Sequence, residues 1–157
     1  MNSAPIEGYA AIFGEPDDNG DIIRAGAFRA SLIQRPAAAV RMLYQHQADR
    51  PIGRWRRFRE DERGLYAEGE ISLASETGRE VWSLARFGAL DGLSIGFRTR
   101  RARALRGGRE LLAVDLWEVS LVTFPMAPAA RLTAIGEPDA ADAIHEAAGR
   151  LKAAMIR

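Results

Sequence analysis

The sequence predicts a β-rich domain, of α+β or β-barrel type, and three observations carry that prediction. Apolar residues recur with period two in many short runs, dense Gly/Asp/Asn/Pro clusters separate them, and only a few stretches carry a helical period. Tyr9 to Phe13 is the first such run, and the Gly14-Glu15-Pro16-Asp17-Asp18-Asn19-Gly20-Asp21 turn signal follows it. A short helix is expected over Ala27 to Gln34, then the bland loop Pro36-Ala37-Ala38-Ala39. In Val40 to His46, alternation places Val40, Met42, Tyr44 and His46 on one face of a strand. Further strands are expected at Ile52 to Phe58, Leu65 to Ile71, Leu93 to Arg98, Leu111 to Val114 and Trp117 to Thr123. Between them, Ser75 to Phe87 reads as a helix: Ser75 can cap its start, Val81, Leu84 and Ala85 share a face, and Gly88 suits its C-terminal cap. Pro125, Pro128 and Gly136-Glu137-Pro138 then mark a break. Beyond it, Ile144, Ala148, Leu151 and Met155 form one stripe of an amphipathic C-terminal helix with acids at its start and bases at its end. The expected division is a body over 1–132 and a linker with that helix over 133–157.

Composition narrows the function classes. At 157 residues, 47% hydrophobic and 27% charged, the chain reads as one soluble domain able to bury a core. A net charge of +1 makes no general electrostatic case for nucleic acid or an anionic membrane. The absence of cysteine excludes disulfides, thiolate catalysis and thiolate metal sites. The N-terminus lacks the basic and apolar regions of a signal peptide, and no apolar run approaches the roughly 18 residues of a membrane span. The expected address is the cytoplasm.

Few residues are equipped for acid–base chemistry. The two histidines are His46, ending an apolar strand, and His145, on the tail helix beside Ile144. With the two far apart and no clustered carboxylates, neither a metal nor a cofactor is expected. In Gly92-Leu93-Ser94-Ile95-Gly96-Phe97, Leu93, Ile95 and Phe97 share one face, leaving Ser94 between two glycines on the other. A serine on a bare strand face leaves room for a substrate backbone, as a nucleophile requires, although close packing of that strand would explain the glycines equally well. The stretch also fits G-x-S-x-G, but a nucleophile elbow needs a strand before it and a helix straight after. Here a helix and turn precede, and the basic Arg98-Thr99-Arg100-Arg101 follows, so the elbow is rejected. In Leu116 to Val122, Trp117, Val119 and Leu121 make one face, and Glu118 and Ser120 the other. Glu118 needs a partner if buried: either a histidine, as the third member of a triad, or one of the arginines.

Taken in order, these residues resemble the prohead protease family of tailed phages and phage-derived particles such as gene transfer agents. The resemblance spans about Gly8 to Arg131. It runs through Gly8-Tyr9-Ala10, Gly20-Asp21, Gly26-Ala27-Phe28, Ser31-Leu32, Met42-Leu43-Tyr44-Gln45-His46 and Pro51-Ile52-Gly53. It continues through Gly64-Leu65, Glu68-Gly69, Gly92 to Phe97, Glu118 to Val122, Pro125, Pro128 and Ala130. Two departures are Gln47, where the family often has an acid, and Ala127 before Pro128, where it often has Asn. The resemblance implies a fold similar to herpesvirus assemblins: a single β-barrel wrapped by a few helices. It implies a serine endopeptidase that cleaves scaffold or capsid polypeptides inside the assembling prohead, in the cytoplasm of the bacterial host. His46 falls on the family's catalytic histidine and Ser94 on its serine. Glu118 matches an acidic position whose role as third member stays open. Major capsid protein and scaffold segments would be the partners, with no membrane or direct nucleic acid, and a homodimer enters by analogy with assemblins alone.

Oxyanion donors could be backbone N–H groups, Arg131, or one of Arg98 to Arg103. Two other functions remain in view. The same fold could serve as a non-enzymatic assembly or scaffold-binding module. The basic stretches Arg54-Trp55-Arg56-Arg57 and Arg98 to Arg106 could instead bind nucleic acid, although solvated strand faces explain them too.

Overall fold

In the computed structural model, which describes residues 2–138, the period-two runs fall in six strands of one eight-stranded sheet, accompanied by two α-helices. The strands are β1 (Ser3–Ile12), β2 (Ile22–Ile23), β3 (Arg41–Tyr44), β4 (Gln47–Glu60), β5 (Gly64–Ser72), β6 (Gly92–Leu105), β7 (Gly108–Val122) and β8 (Leu132–Ile135). The helices are α1 (Arg29–Gln34) and α2 (Glu76–Phe87), and Ala37–Ala39 forms a single 3-10 turn. The predicted tail stripe and His145 lie outside the described residues. β8 runs from Leu132 to Ile135, across the boundary placed at residue 132, and pairs with β1.

The β-rich class with few helices is as the sequence predicted. The ladders follow one open path, β2-β7-β3-β4-β5-β1-β8, with β6 on the other side of β7. No ladder closes this path; an isolated bridge between Gly92 and Arg131 links the β6 end to the residue before β8.

Alternation also locates the core. Leu93, Val119, Leu121 and Met42 project to one side of β6, β7 and β3, together with Trp55, Leu65 and Ile71 from β4 and β5. Trp55 is fully buried and satisfies its indole N–H by donating to the Val119 carbonyl at 3.2 Å. α2 covers this layer with Val81 and Ala85. Its ends match their caps: the Ser75 hydroxyl accepts the Gly78 N–H at 3.0 Å, and Gly88 takes a left-handed φ of 85°. The first helix is tied down differently, because the buried Ser31 hydroxyl accepts the Leu116 N–H at 2.8 Å.

Two corrections concern β7. The sequence reading split it in two, whereas it is a single strand of 15 residues. It also put Trp117 on the face of Val119 and Leu121. Gly96 pairs with Glu118 and Phe97 with Leu116, so Trp117 is the extra residue of a bulge. The bulge leaves Trp117 43% exposed while Leu116 and Val119 are fully buried. The freed indole lies between two cations, with the guanidinium carbon of Arg35 at 3.8 Å and that of Arg98 at 5.1 Å from the ring centroid.

Candidate active site

The face of β6 and β7 opposite the core is almost bare of large side chains. Ser94 stands directly across from Ser120, and Gly96 across from Glu118. Because paired residues of an antiparallel ladder project to the same side, Ser94, Glu118 and Ser120 share one surface. Gly96 leaves room there: a Cβ at that position would sit 2.4 Å from Glu118 Oε1, so the Glu118 side chain lies over the glycine.

The histidine reaches this surface by a route the sequence did not disclose. Continued alternation would have put His46 on the core face with Met42 and Tyr44. Instead β3 stops at Tyr44, which pairs with Gln47, and Gln45 and His46 form a two-residue hairpin loop with φ of 55° and 59°. Two consecutive left-handed residues are what a tight primed turn demands, although neither here is Gly or Asn. Among the described residues they are the only non-glycines with positive φ. The turn swings His46 onto the opposite face, where its Nδ1 hydrogen-bonds Glu118 Oε1. Ser120 completes the arrangement, donating from Oγ to Glu118 Oε2 at 2.7 Å and accepting the His46 backbone N–H at 3.1 Å.

The electrostatics follow from these contacts. Glu118 keeps 15% of its side chain exposed and His46 keeps 42%. The hydrogen bond to Glu118 is the main influence holding the imidazole pKa above its ordinary value; partial burial pulls it down, and the carboxylate charge adds to the rise. With Nδ1–H donated to Glu118, Nε2 is the nitrogen left for proton transfer.

The two serines differ in accessibility. Ser120 is fully buried, with its hydroxyl engaged on both sides. Ser94 is 5% exposed and its hydroxyl bonds to no described residue. Every sealed side-chain oxygen or nitrogen of the described residues has a partner, so the Ser94 Oγ must still touch solvent. Of the three candidate residues, the structure joins His46 to Glu118 and sets Ser94 on the same face. It forms no hydrogen bond between Ser94 and His46.

Sequence reasoning missed the parts played by Ser120, Gln45 and Gly96. The Glu118-x-Ser120 spacing carried a usable signal, since it put both polar groups on one strand face.

Several arginines of the basic stretches are paired with carboxylates. Arg54 and Arg56 both bind Glu70, Arg100 binds Asp115, and Arg103 binds Glu110. The four paired arginines stay more than half exposed, as side chains on a solvated strand face would. A groove of about 1150 Å³ opens elsewhere, over Pro5, Glu7, Arg54, Glu68 and Glu70. Neither Ser94, His46 nor Glu118 lines it, and the titratable cluster is the better guide to chemistry.

Comparison with known proteins gives the chain's family and fold relatives. Residues 1–141 match the family model described as caudovirus prohead serine protease, and the chain belongs to that family. The prohead protease of Enterobacteria phage HK97 is 30% identical over 145 residues, covering 90% of this chain and 64% of that protein. The chain thus spans a little under two thirds of that relative's length. Two solved structures share the fold at 13% identity. The capsid assembly protease of bacteriophage T4 matches with a TM-score of 0.59, over 75% of this chain and 80% of that one. The KSHV protease, solved with a hexapeptide phosphonate inhibitor, matches with a TM-score of 0.57, over 86% of this chain and 65% of that one.

Proposed function

We propose that this member of the prohead serine protease family is a serine endopeptidase, with Ser94 as nucleophile, His46 as general base and Glu118 as third member. The observation that carries the reading is the Glu118–His46 hydrogen bond on the same bare strand face as the free hydroxyl of Ser94. Glu118 holds the imidazole by Nδ1, so Nε2 accepts the Ser94 proton as Oγ attacks the peptide carbonyl. The imidazolium stays paired with Glu118 and then protonates the leaving amine. Water, deprotonated by the same nitrogen, hydrolyses the acyl-enzyme. Ser94 and His46 must close by side-chain rotation when substrate binds, as catalytic hydrogen bonds often do.

For the oxyanion, backbone N–H groups are favoured over Arg131, Arg100 and Arg103. Arg131 is held by the Pro128 carbonyl at 2.9 Å and by Asp91 at 2.7 Å, and Arg100 and Arg103 are committed to Asp115 and Glu110. The barrel belongs to the same reading, its seam running where the Gly92–Arg131 bridge links the two ends of the ladder path. The substrates in this reading are capsid and scaffold polypeptides, met inside the assembling prohead in the bacterial host; the relatives' names, prohead protease and capsid assembly protease, support the capsid-assembly setting.

Ser94→Ala tests the reading. It should lower cleavage of the cognate capsid protein by about 10⁴-fold or more, the scale of losing a nucleophile. A fluorophosphonate probe should phosphonylate Ser94 with loss of fluoride, adding the probe's mass less HF to the Ser94 peptide of the parent chain and not to the variant. Processing at the parent rate by Ser94→Ala would overturn the assignment.

A further inference from the structure

We infer that Ser120 is a positioning residue, whose buried hydroxyl locks the Gln45–His46 turn and the Glu118 carboxylate into one unit. The inference rests on the proposed roles of His46 and Glu118, and it adds a residue those roles do not include.

The Gln45–His46 turn carries backbone strain. A non-glycine residue in the left-handed region is disfavoured because its Cβ crowds the neighbouring carbonyl, and here two occur in succession. Such a conformation persists only where the surroundings over-determine it. Among the described residues, all the hydrogen bonds that restrain this turn from outside come from β7 and the residue after it. The Gln45 N–H donates to the Leu121 carbonyl at 2.9 Å. Its side-chain amide donates to Thr123 Oγ1 at 2.7 Å and accepts the Thr123 N–H at 3.2 Å. The His46 N–H has one partner, Ser120 Oγ.

That hydroxyl also donates to Glu118 Oε2, leaving Oε1 of the same carboxylate to receive His46 Nδ1. Backbone of His46, Ser120 hydroxyl, Glu118 carboxylate and imidazole therefore form a closed ring of hydrogen bonds. Both the position of the imidazole and the orientation of its partner pass through one atom, Ser120 Oγ. A serine suits this place because a hydroxyl can donate and accept at once, and Ser120 is fully buried, so water is not available to replace it.

The charged groups of the adjoining strands do not take over the task. Arg41 stands beside Glu118 in the β3–β7 register, but its guanidinium turns to the Ala38 carbonyl at 3.5 Å. Arg54, its neighbour on β4, binds Glu70. On β6 the residue opposite Glu118 is glycine.

Amide exchange, variant kinetics and an NMR titration test the inference. In the parent chain, the His46 amide should exchange with solvent far more slowly than an open turn amide; exchange at the rate of an unprotected turn would overturn the clamp. In Ser120→Ala, kcat should fall about 10- to 100-fold, the scale of a misplacement of about 1 Å. Its acid limb should move down toward the ordinary imidazole value of about 6.5 as the imidazole loses alignment with Glu118. Ser120→Thr, which keeps a hydroxyl, should retain more of the activity than the isosteric Ser120→Val. Unchanged kcat and an unmoved acid limb in Ser120→Ala would overturn the inference. The His46 titration should also be followed by NMR in a Ser94→Ala background, where no turnover is needed. A downward shift there on adding Ser120→Ala supports the clamp even if Ser94→Ala proves active, which would refute only the serine reading. An unmoved titration with Ser94→Ala inactive refutes only the clamp.

Discussion

The two halves of β7 carry the same kind of residue and use it in opposite ways. In the half from Gly108 to Leu116, Glu110 and Asp115 are buried carboxylates gripped by arginines: Arg24 and Arg103 on the first, Arg100 and Arg35 on the second. In the half from Trp117 to Val122, Glu118 has no guanidinium on it among the described residues and is bound by a histidine and a serine. Arginine stays charged throughout the accessible pH range, so the first half holds its protons still and only ties elements together. Imidazole titrates near neutrality, so the second half can move a proton. The bulge at Trp117 separates the two regimes by shifting the alternation of the strand by one residue.

The comparison breaks most sharply at Glu118. Glu118→Gln should leave the fold intact yet lower kcat by up to about 10⁴-fold, as the corresponding change does in a serine protease triad, and it should carry the acid limb of the pH–rate profile downward. Measuring kcat across pH in the variant checks both expectations. A smaller loss, about 10²-fold, is expected for Gly96→Ala, because the added Cβ must push Glu118 aside from above. Circular dichroism should show a retained fold while turnover falls.

Asp115→Asn should barely touch kcat and should act on stability alone. Its own direction follows from linkage. Asp115 and Glu110 are held below their ordinary values, chiefly by the hydrogen bonds from Arg100 and Arg24 respectively. Their contribution is therefore full above the unfolded-state pKa of about 4 and is lost as pH falls through the lower folded values. His46 has the opposite sign. Its folded pKa is raised, so the stabilisation it gains from Glu118 is full below about 6.5 and is lost as pH rises through the elevated value. Urea titrations over a pH series should show the acid-side loss flattened in Asp115→Asn, with the neutral-side change untouched. A loss of activity in Asp115→Asn matching that of Glu118→Gln would erase the distinction between the halves.

Much of this was legible in the chain. The β-rich class, the cap residues of α2 and the bare face holding Ser94 all follow from local patterns, because a strand's period and a helix's termini are decided by adjacent residues. The pairing of Glu118 with Ser120 on one face was visible for the same reason. Strands β2 and β8 were not, since two and four residues are too few to establish a period. Trp117 was misplaced because a bulge is set by the register between two strands and leaves no mark in one of them.

The position of His46 shows the division most clearly. Its chemistry, and its standing as the candidate base, came from the sequence alone. Its side of the sheet was decided by two left-handed residues held to β7 by Ser120, Leu121 and Thr123, which lie more than 70 positions away. A side chain's proton affinity is mostly its own, whereas the face it reaches depends on which distant strand restrains its turn. Residue types determined what this protein could do, and tertiary contacts decided where those residues would meet.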